Sequence, residues 1–217
     1  MKDIICPVCS NAAPFRLRKE NVDYHQCCSC HTLFSGPLEN SNMIGGEHEE
    51  GRNTQQNHLR IGRIDEMILG AKKEGIHILD FGCGHGMLIA DLKKSGYPNV
   101  TGYDAYSDEY NKLPKRERYH IITAIELIEH TSHPYVEIDV MHRALVPGGV
   151  VMFETSFIDV AGQENIPLED FFYIAPKNGH STIFSHHGLD LLMCLKGFIP
   201  RRHFNRHVRL YQKPYKK

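Results

Sequence analysis

The sequence predicts an α/β fold, a mostly parallel sheet covered by helices, with a small four-cysteine module at its N-terminus. Three observations carry this reading. Apolar runs of strand length alternate with helical patterns from residue 57 onward; one run leads straight into the glycine-rich turn Gly82-Cys83-Gly84-His85-Gly86; and two Cys-x-x-Cys pairs stand near the start of the chain. At 217 residues the chain suits one sizeable core with a small addition. The expected division is residues 1–36 for a zinc-ribbon-like module, 37–56 for a linker and 57–217 for the α/β domain.

Five of the seven cysteines, Cys6, Cys9, Cys27, Cys28 and Cys30, lie in the first thirty residues. Their odd total, their paired spacing and the lack of an apolar leader favour metal binding in a reducing, cytoplasmic setting over a disulfide framework. Seventeen residues separate Cys6-x-x-Cys9 from Cys27-x-x-Cys30, a spacing that suits tetrahedral thiolate ligation of Zn²⁺. Such a site is closed and structural, and the metal would stabilise a module too small to hold itself together. Cys28 is the spare thiol. The polar, glycine-bearing stretch at residues 39–51 reads as surface linker.

The elements follow in order. Leu59, Ile61, Ile64, Met67, Ile68 and Leu69 recur at helical spacing and give a lead-in helix that stops near Gly70 or Gly75. Its Arg60 and Arg63 are candidates to reach a ligand carboxylate. Strands are expected at residues 76–81, 100–103, 121–125 and 150–153, with helices at 87–95 and 135–145 between them. Pro147-Gly148-Gly149 reads as the turn into the fourth of these strands. This alternation implies crossover connections and parallel pairing. A last helix near residues 189–196 and extended stretches near 198–199 and 208–211 fit a closing antiparallel hairpin.

No run approaches the roughly 18 consecutive apolar residues of a membrane span. A formal charge of −1 gives no overall case for nucleic acid, although residues 196–217 hold no acidic residue and several arginines and lysines. A nucleic-acid partner is therefore possible but not favoured.

The segment at residues 78–86 is a buried strand, a glycine turn and then a helix, the context in which glycines admit φ > 0 and close approach of a ligand to the main chain. Asp80 precedes the glycines, and Asp104 closes the next strand about twenty residues later, placed to accept hydrogen bonds from ribose hydroxyls. Asp80-Phe81-Gly82-Cys83-Gly84-His85-Gly86 resembles motif I of the class I S-adenosylmethionine-dependent methyltransferases, which have a Rossmann-like fold. Ile121-Ile122-Thr123-Ala124-Ile125-Glu126-Leu127-Ile128-Glu129-His130 and Leu145-Val146-Pro147-Gly148-Gly149 are similar to later segments of the branch that includes the quinone-biosynthesis methyltransferases. The cysteine segment resembles an N-terminal zinc-binding domain of methyltransferases that act on sugars and other small metabolites.

The resemblance implies that S-adenosylmethionine is bound by Asp80, Gly82, Cys83, Gly84, Gly86, Asp104, Ala105, Ile125 and Glu126. It also implies methyl transfer to a small-molecule acceptor, a sugar or glycan hydroxyl being one candidate. One departure stands out: residues 105–120 are too few for the helix and third strand that usually follow, and for the acid that often contacts adenine. Glu126, Glu129 and His130 follow the carboxyl end of a central strand, where open α/β sheets bind ligands. His130 is the first candidate for general base because an imidazole titrates near neutrality, with Glu129 and His180 beside it. Phe171, Phe172 and Tyr173 are candidates to line an acceptor pocket. Two rival readings are an RNA methyltransferase gripping its substrate with the zinc module and basic C-terminus, and a binding protein that keeps the cofactor without turnover.

Overall fold

The structure, a computed structural model, describes residues 4–36, 38, 50–131, 133–163, 165–201 and 204–216. Most of the anticipated linker, residues 39–49, lies outside them. The N-terminal segment forms five short strands, β1 (Ile4–Ile5), β2 (Ala12–Ala13), β3 (Phe15–Lys19), β4 (Val22–Gln26) and β5 (Leu33–Phe34). Glu20 and Asn21 turn the β3–β4 hairpin with φ of 50° and 66°, the left-handed pair that a tight two-residue turn requires.

Helix α1 (Glu50–Ile68) begins well before residue 57 and ends where Leu69 and Gly70 take φ of 46° and 81°. Then come β6 (Ile78–Phe81), α2 (Met87–Lys94), β7 (Val100–Tyr103), β8 (Tyr119–Ile125), α3 (Pro134–Ala144) and β9 (Leu145–Glu154). The last part comprises α4 (Ile158–Gln163), β10 (Thr182–Ile183), α5 (His186–Leu195), β11 (Ile199–Pro200) and β12 (Val208–Gln212). Helix α5 starts three residues earlier than its apolar spacing suggested, because Ser185 caps it by accepting the Gly188 amide.

Six strands form the main sheet in the order β11-β12-β9-β8-β6-β7. β7, β6, β8 and β9 run parallel, while β12 pairs antiparallel with β9 and β11 with β12, the closing hairpin that the sequence implied. All four residues of β6 are buried, which explains why Ile78, Leu79 and Phe81 are apolar on both faces of the strand, with Asp80 the one polar residue among them. One expectation is corrected. Pro147-Gly148-Gly149 does not turn the chain into a strand but bulges within one: Tyr119 faces Leu145, yet Ile121 already faces Val150. Residues 104–118 contain no strand or helix, so β7 is left at the edge of the sheet.

The two sheet faces carry separate cores. Ile61, Ile64, Leu88, Leu92 and Tyr97 pack α1 and α2 on one side. On the other, Ile138, Met141, Leu189 and Met193 pack α3 and α5, and Cys6, Val8, Cys27, Cys30 and Phe34 belong to the same apolar cluster. The cysteine segment is thus built into the main body. β5 also pairs antiparallel with β10, making a second sheet in the order β10-β5-β4-β3.

Candidate functional site

The carboxyl ends of β7, β6, β8 and β9 present, side by side, Asp104, the glycine turn, Glu126 and Glu154. Gly82, Gly84 and Gly86 all have positive φ, of 82°, 52° and 79°. Each has a different neighbour. A methyl group on Gly82 would lie 2.7 Å from Leu127 Cδ1, and one on Gly86 would lie 2.8 Å from the Tyr110 hydroxyl, whereas a methyl on Gly84 would meet nothing within 4 Å. The first and third glycines lie close under the Leu127 and Tyr110 side chains, and the second borders open space, as a loop that receives a ligand should.

Asp104 spans this turn: its carboxylate accepts the Gly84 amide at 2.9 Å and the Tyr106 amide at 2.9 Å. Ala105 beside it is exposed. Asp80 is buried and accepts a 2.7 Å bond from Thr123 Oγ1; burial lifts its carboxyl to about 6. It therefore ties β6 to β8 beneath the turn. Burial and the nearby Asp80 and Asp104 push the Cys83 thiol up to about 12, so it stays protonated and packs. Ile125, half-buried, ends β8. An open turn over Gly84 flanked by an acceptor carboxylate fits the amino-acid and nucleoside halves of S-adenosylmethionine.

Beyond β8 lies a cluster that the sequence only half revealed. The Tyr173 hydroxyl donates to Glu129 Oε1 and lies 2.9 Å from both Glu126 Oε2 and Thr155 Oγ1, while Thr155 Oγ1 also donates to Glu129 Oε2 at 3.0 Å. Glu129 is buried, and burial raises its carboxyl above the usual range. Glu126, with φ of 47°, is exposed; partial desolvation and the adjacent Glu129 charge raise its carboxyl too. Tyr173 and Thr155 lie 44 and 26 residues from Glu129, so their role follows from the fold and no local pattern marks it.

His130 and His180 sit edge to face with centroids 4.9 Å apart, and both are driven towards the neutral form by burial. His130 falls to about 4, and its Nδ1 is buried with no hydrogen-bond partner. His180 Nδ1 meets the Tyr173 carbonyl at 2.8 Å. Ligand atoms of Glu129, His130 and His180 all lie within 4.8 Å of one another, close enough for one divalent cation to take up the orphaned nitrogen.

A cavity of about 340 Å³ opens on the far side of Glu126 from the glycine turn, lined among others by Arg63, Glu126, Glu154, Thr155, Ser156 and His207. Its apolar members are Leu59 and Phe172, both exposed, and the buried Val208. Of the aromatic trio, only Phe172 lines this cavity: Phe171 is buried in a core, and Tyr173 reaches the carboxylates. Arg60 and Arg63 do not stand free. Both are paired with Glu154, Arg60 through two donors to Oε1 and Arg63 to Oε2.

The four cysteines converge as the spacing required, with Cys6 Sγ 3.6 Å from Cys30 Sγ and Cys9 Sγ 3.4 Å from Cys27 Sγ. Ser10 and His31, each following the second cysteine of a pair, take φ of 59°, which makes the two knuckles alike. Cys28 is exposed and outside the group. Four convergent thiols with mostly buried sulfur-bearing side chains suit a closed tetrahedral site. The basic C-terminal stretch is largely occupied: Lys213 donates to the His142 and Leu145 carbonyls, Lys216 pairs with Glu117, Arg201 bonds Gln212, and Arg209 is buried. No helix among the described residues is long and apolar enough to cross a membrane.

Residues 52–199 match the family described as the methyltransferase domain. The ubiquinone biosynthesis O-methyltransferase of Pseudomonas savastanoi pv. phaseolicola is 32% identical over 123 residues, covering 46% of this chain and 51% of that protein. The protein of the same name from Acinetobacter baumannii is 29% identical over 134 residues, covering 50% and 55%. The chain thus spans about half the length of the curated relatives it matches. Among solved structures, an O-methyltransferase family protein from Burkholderia thailandensis shares the fold with a TM-score of 0.54 at 11% identity, covering 78% of this chain and 60% of the other. A complex of the Haloferax volcanii Trm112 methyltransferase activator with a putative methyltransferase gives 0.52 at 14% identity, covering 76% and 95%. With a glycine turn open over Gly84, an acid at the end of the neighbouring strand and a family match over more than half its length, this chain belongs to the methyltransferase domain family.

Proposed function

We propose that the protein transfers the methyl group of S-adenosylmethionine to a hydroxyl of a small polar acceptor, with a sugar-like ring the favoured class. One observation supports this above the others: Glu126 stands between the glycine turn and a polar cavity, carrying a carboxyl raised towards neutrality. The sulfonium supplies the activated methyl group. Catalysis by the chain then consists of alignment and proton removal. When bound, S-adenosylmethionine would supply a methyl carbon whose bond to sulfur breaks as the acceptor oxygen bonds to it, and Glu126 would take the hydroxyl proton. Tyr173 and Thr155 hold Glu129 behind it. His130, neutral and absent from the cavity lining, would shape the site from behind the carboxylates. The open face of Gly84 and the Asp104 carboxylate would receive the cofactor, and the four thiols would hold Zn²⁺ as a structural ion.

The polar lining with an apolar rim of Leu59 and Phe172 supports a hydroxylated ring able to lie against an aromatic face. The test is calorimetric titration with S-adenosylhomocysteine, followed by methyl transfer to a panel of hydroxylated sugars, phenols and RNA. Micromolar binding and turnover of a small hydroxyl acceptor are expected. Binding with no turnover on any acceptor would leave a non-catalytic cofactor-binding protein, and turnover confined to RNA would overturn the small-molecule reading.

A further inference from the structure

We propose that the cysteine module positions the catalytic carboxylate Glu126 and its buried neighbour Glu129, with Tyr24 as a positioning residue acting through His180 and Tyr173; this rests on the role given above to Glu126. Two chains of hydrogen bonds run from the module to that pair. In the first, the Ser35 amide donates to the Ser181 carbonyl at 2.8 Å, and the Ser181 amide donates to the Glu129 carbonyl at 2.9 Å. A single residue therefore joins the module to the turn that bears Glu129. In the second, the Tyr24 hydroxyl donates to the His180 carbonyl at 2.6 Å, His180 Nδ1 meets the Tyr173 carbonyl at 2.8 Å, and the Tyr173 hydroxyl holds both carboxylates.

Neighbouring contacts keep these chains in register. β5 pairs with β10 on one side, while on the other Thr182 Oγ1 donates to the Thr131 carbonyl at 2.9 Å. Residues 180–182 are thus held between the module and the catalytic turn. Lys19 Nζ, from β3, donates to the Phe171 carbonyl at 3.0 Å, two residues before Tyr173. Metal ligation reaches the same segment, because the Cys30 carbonyl accepts from Ser185, the cap of α5. A methyl on Gly188 would collide with Thr32 Oγ1 at 2.1 Å, so the contact has no slack there. Tyr24 itself is fully buried, and replacing its hydroxyl leaves the His180 carbonyl without that donor. A side chain that served only to fill the module would not need its oxygen on a residue 156 positions away.

The experiment uses the full-length, metal-replete protein and Tyr24→Phe. Expected results are a fall in kcat of about tenfold, S-adenosylhomocysteine affinity within twofold of the parent, unchanged metal content, and displaced imidazole resonances of His180. Parental kcat and resonances would overturn the proposal, as would a parallel loss of cofactor affinity, which would show a general structural role. A measurement on the parent protein guards against a variant that fails to fold. Chelation of the module metal should displace the His130 and His180 resonances while binding of the demethylated cofactor persists; unmoved resonances or collapse of cofactor binding would each refute local positioning. If the parent binds S-adenosylhomocysteine but methylates nothing, the catalytic reading fails while the resonance measurement still decides the positioning.

Discussion

Gly84→Ala separates a backbone cost from a ligand cost at the same atom. At φ of 52° an L-residue pays the left-handed penalty, roughly 1–2 kcal/mol, and no steric term is added because the new methyl would meet no atom within 4 Å. For a chain of this size that corresponds to a fall in Tm of about 2–8 °C. Gly197→Ala is the matched control: its φ is 81°, its methyl would also meet nothing within 4 Å, and it precedes β11, four strand positions from β6. That separation is roughly 19 Å at the usual strand spacing. Both variants should therefore lose similar stability in thermal melts. Only Gly84→Ala should weaken S-adenosylhomocysteine in calorimetry, by at least about tenfold, or 1.4 kcal/mol; Gly84→Arg should abolish binding with metal content unchanged. Equal affinity in the two alanine variants would refute the placement of the ligand over the glycine turn.

Glu126→Gln should lower kcat by about 10²–10⁴-fold while sparing affinity for the demethylated cofactor, measured by steady-state kinetics and calorimetry. In the parent, kcat should rise as pH climbs through the raised Glu126 value, near 8, because the working form is the carboxylate; that limb should vanish in the variant. The same raised value means that protonation favours the folded state, so this group's contribution is fully present below the ordinary carboxylate range and is lost as pH rises towards 8. Glu154→Ala strands two arginines whose side chains are 8% and 16% exposed, and should cost about 3–5 kcal/mol in urea unfolding; a cost below about 1 kcal/mol would show the pairs to be dispensable. Cys30→Ser should reduce bound metal from about one equivalent to near zero by elemental analysis, with a lower Tm. Added Mn²⁺ should broaden the His130 and His180 imidazole resonances, and His180→Ala should remove the effect on His130; no broadening would exclude a cation at that trio.

Local chemistry made much of this protein readable in one dimension. A buried strand that runs straight into closely spaced glycines signals a tight turn with φ > 0, and the run over β6 into residues 82–86 takes that form. Thiols at Cys-x-x-Cys spacing can reach one ion from a single hairpin, so the four-cysteine group was also legible. The closing hairpin and the missing strand after Asp104 followed from periodicity and from a count of residues. The Pro147-Gly148-Gly149 turn was misread because the residues that turn a chain also make a bulge, and only strand pairing tells the two apart.

What the tertiary structure alone decided are the partnerships between distant segments. Tyr173 reaches Glu126 and Glu129, Glu154 holds Arg60 and Arg63, and β5 joins β10 to build the cysteine segment into the body of the domain. Spacing along a chain encodes neighbours within a turn or a strand. Which buried carboxylate meets which hydroxyl depends on how sheets and helices stack, and that is set by the packing of the whole core.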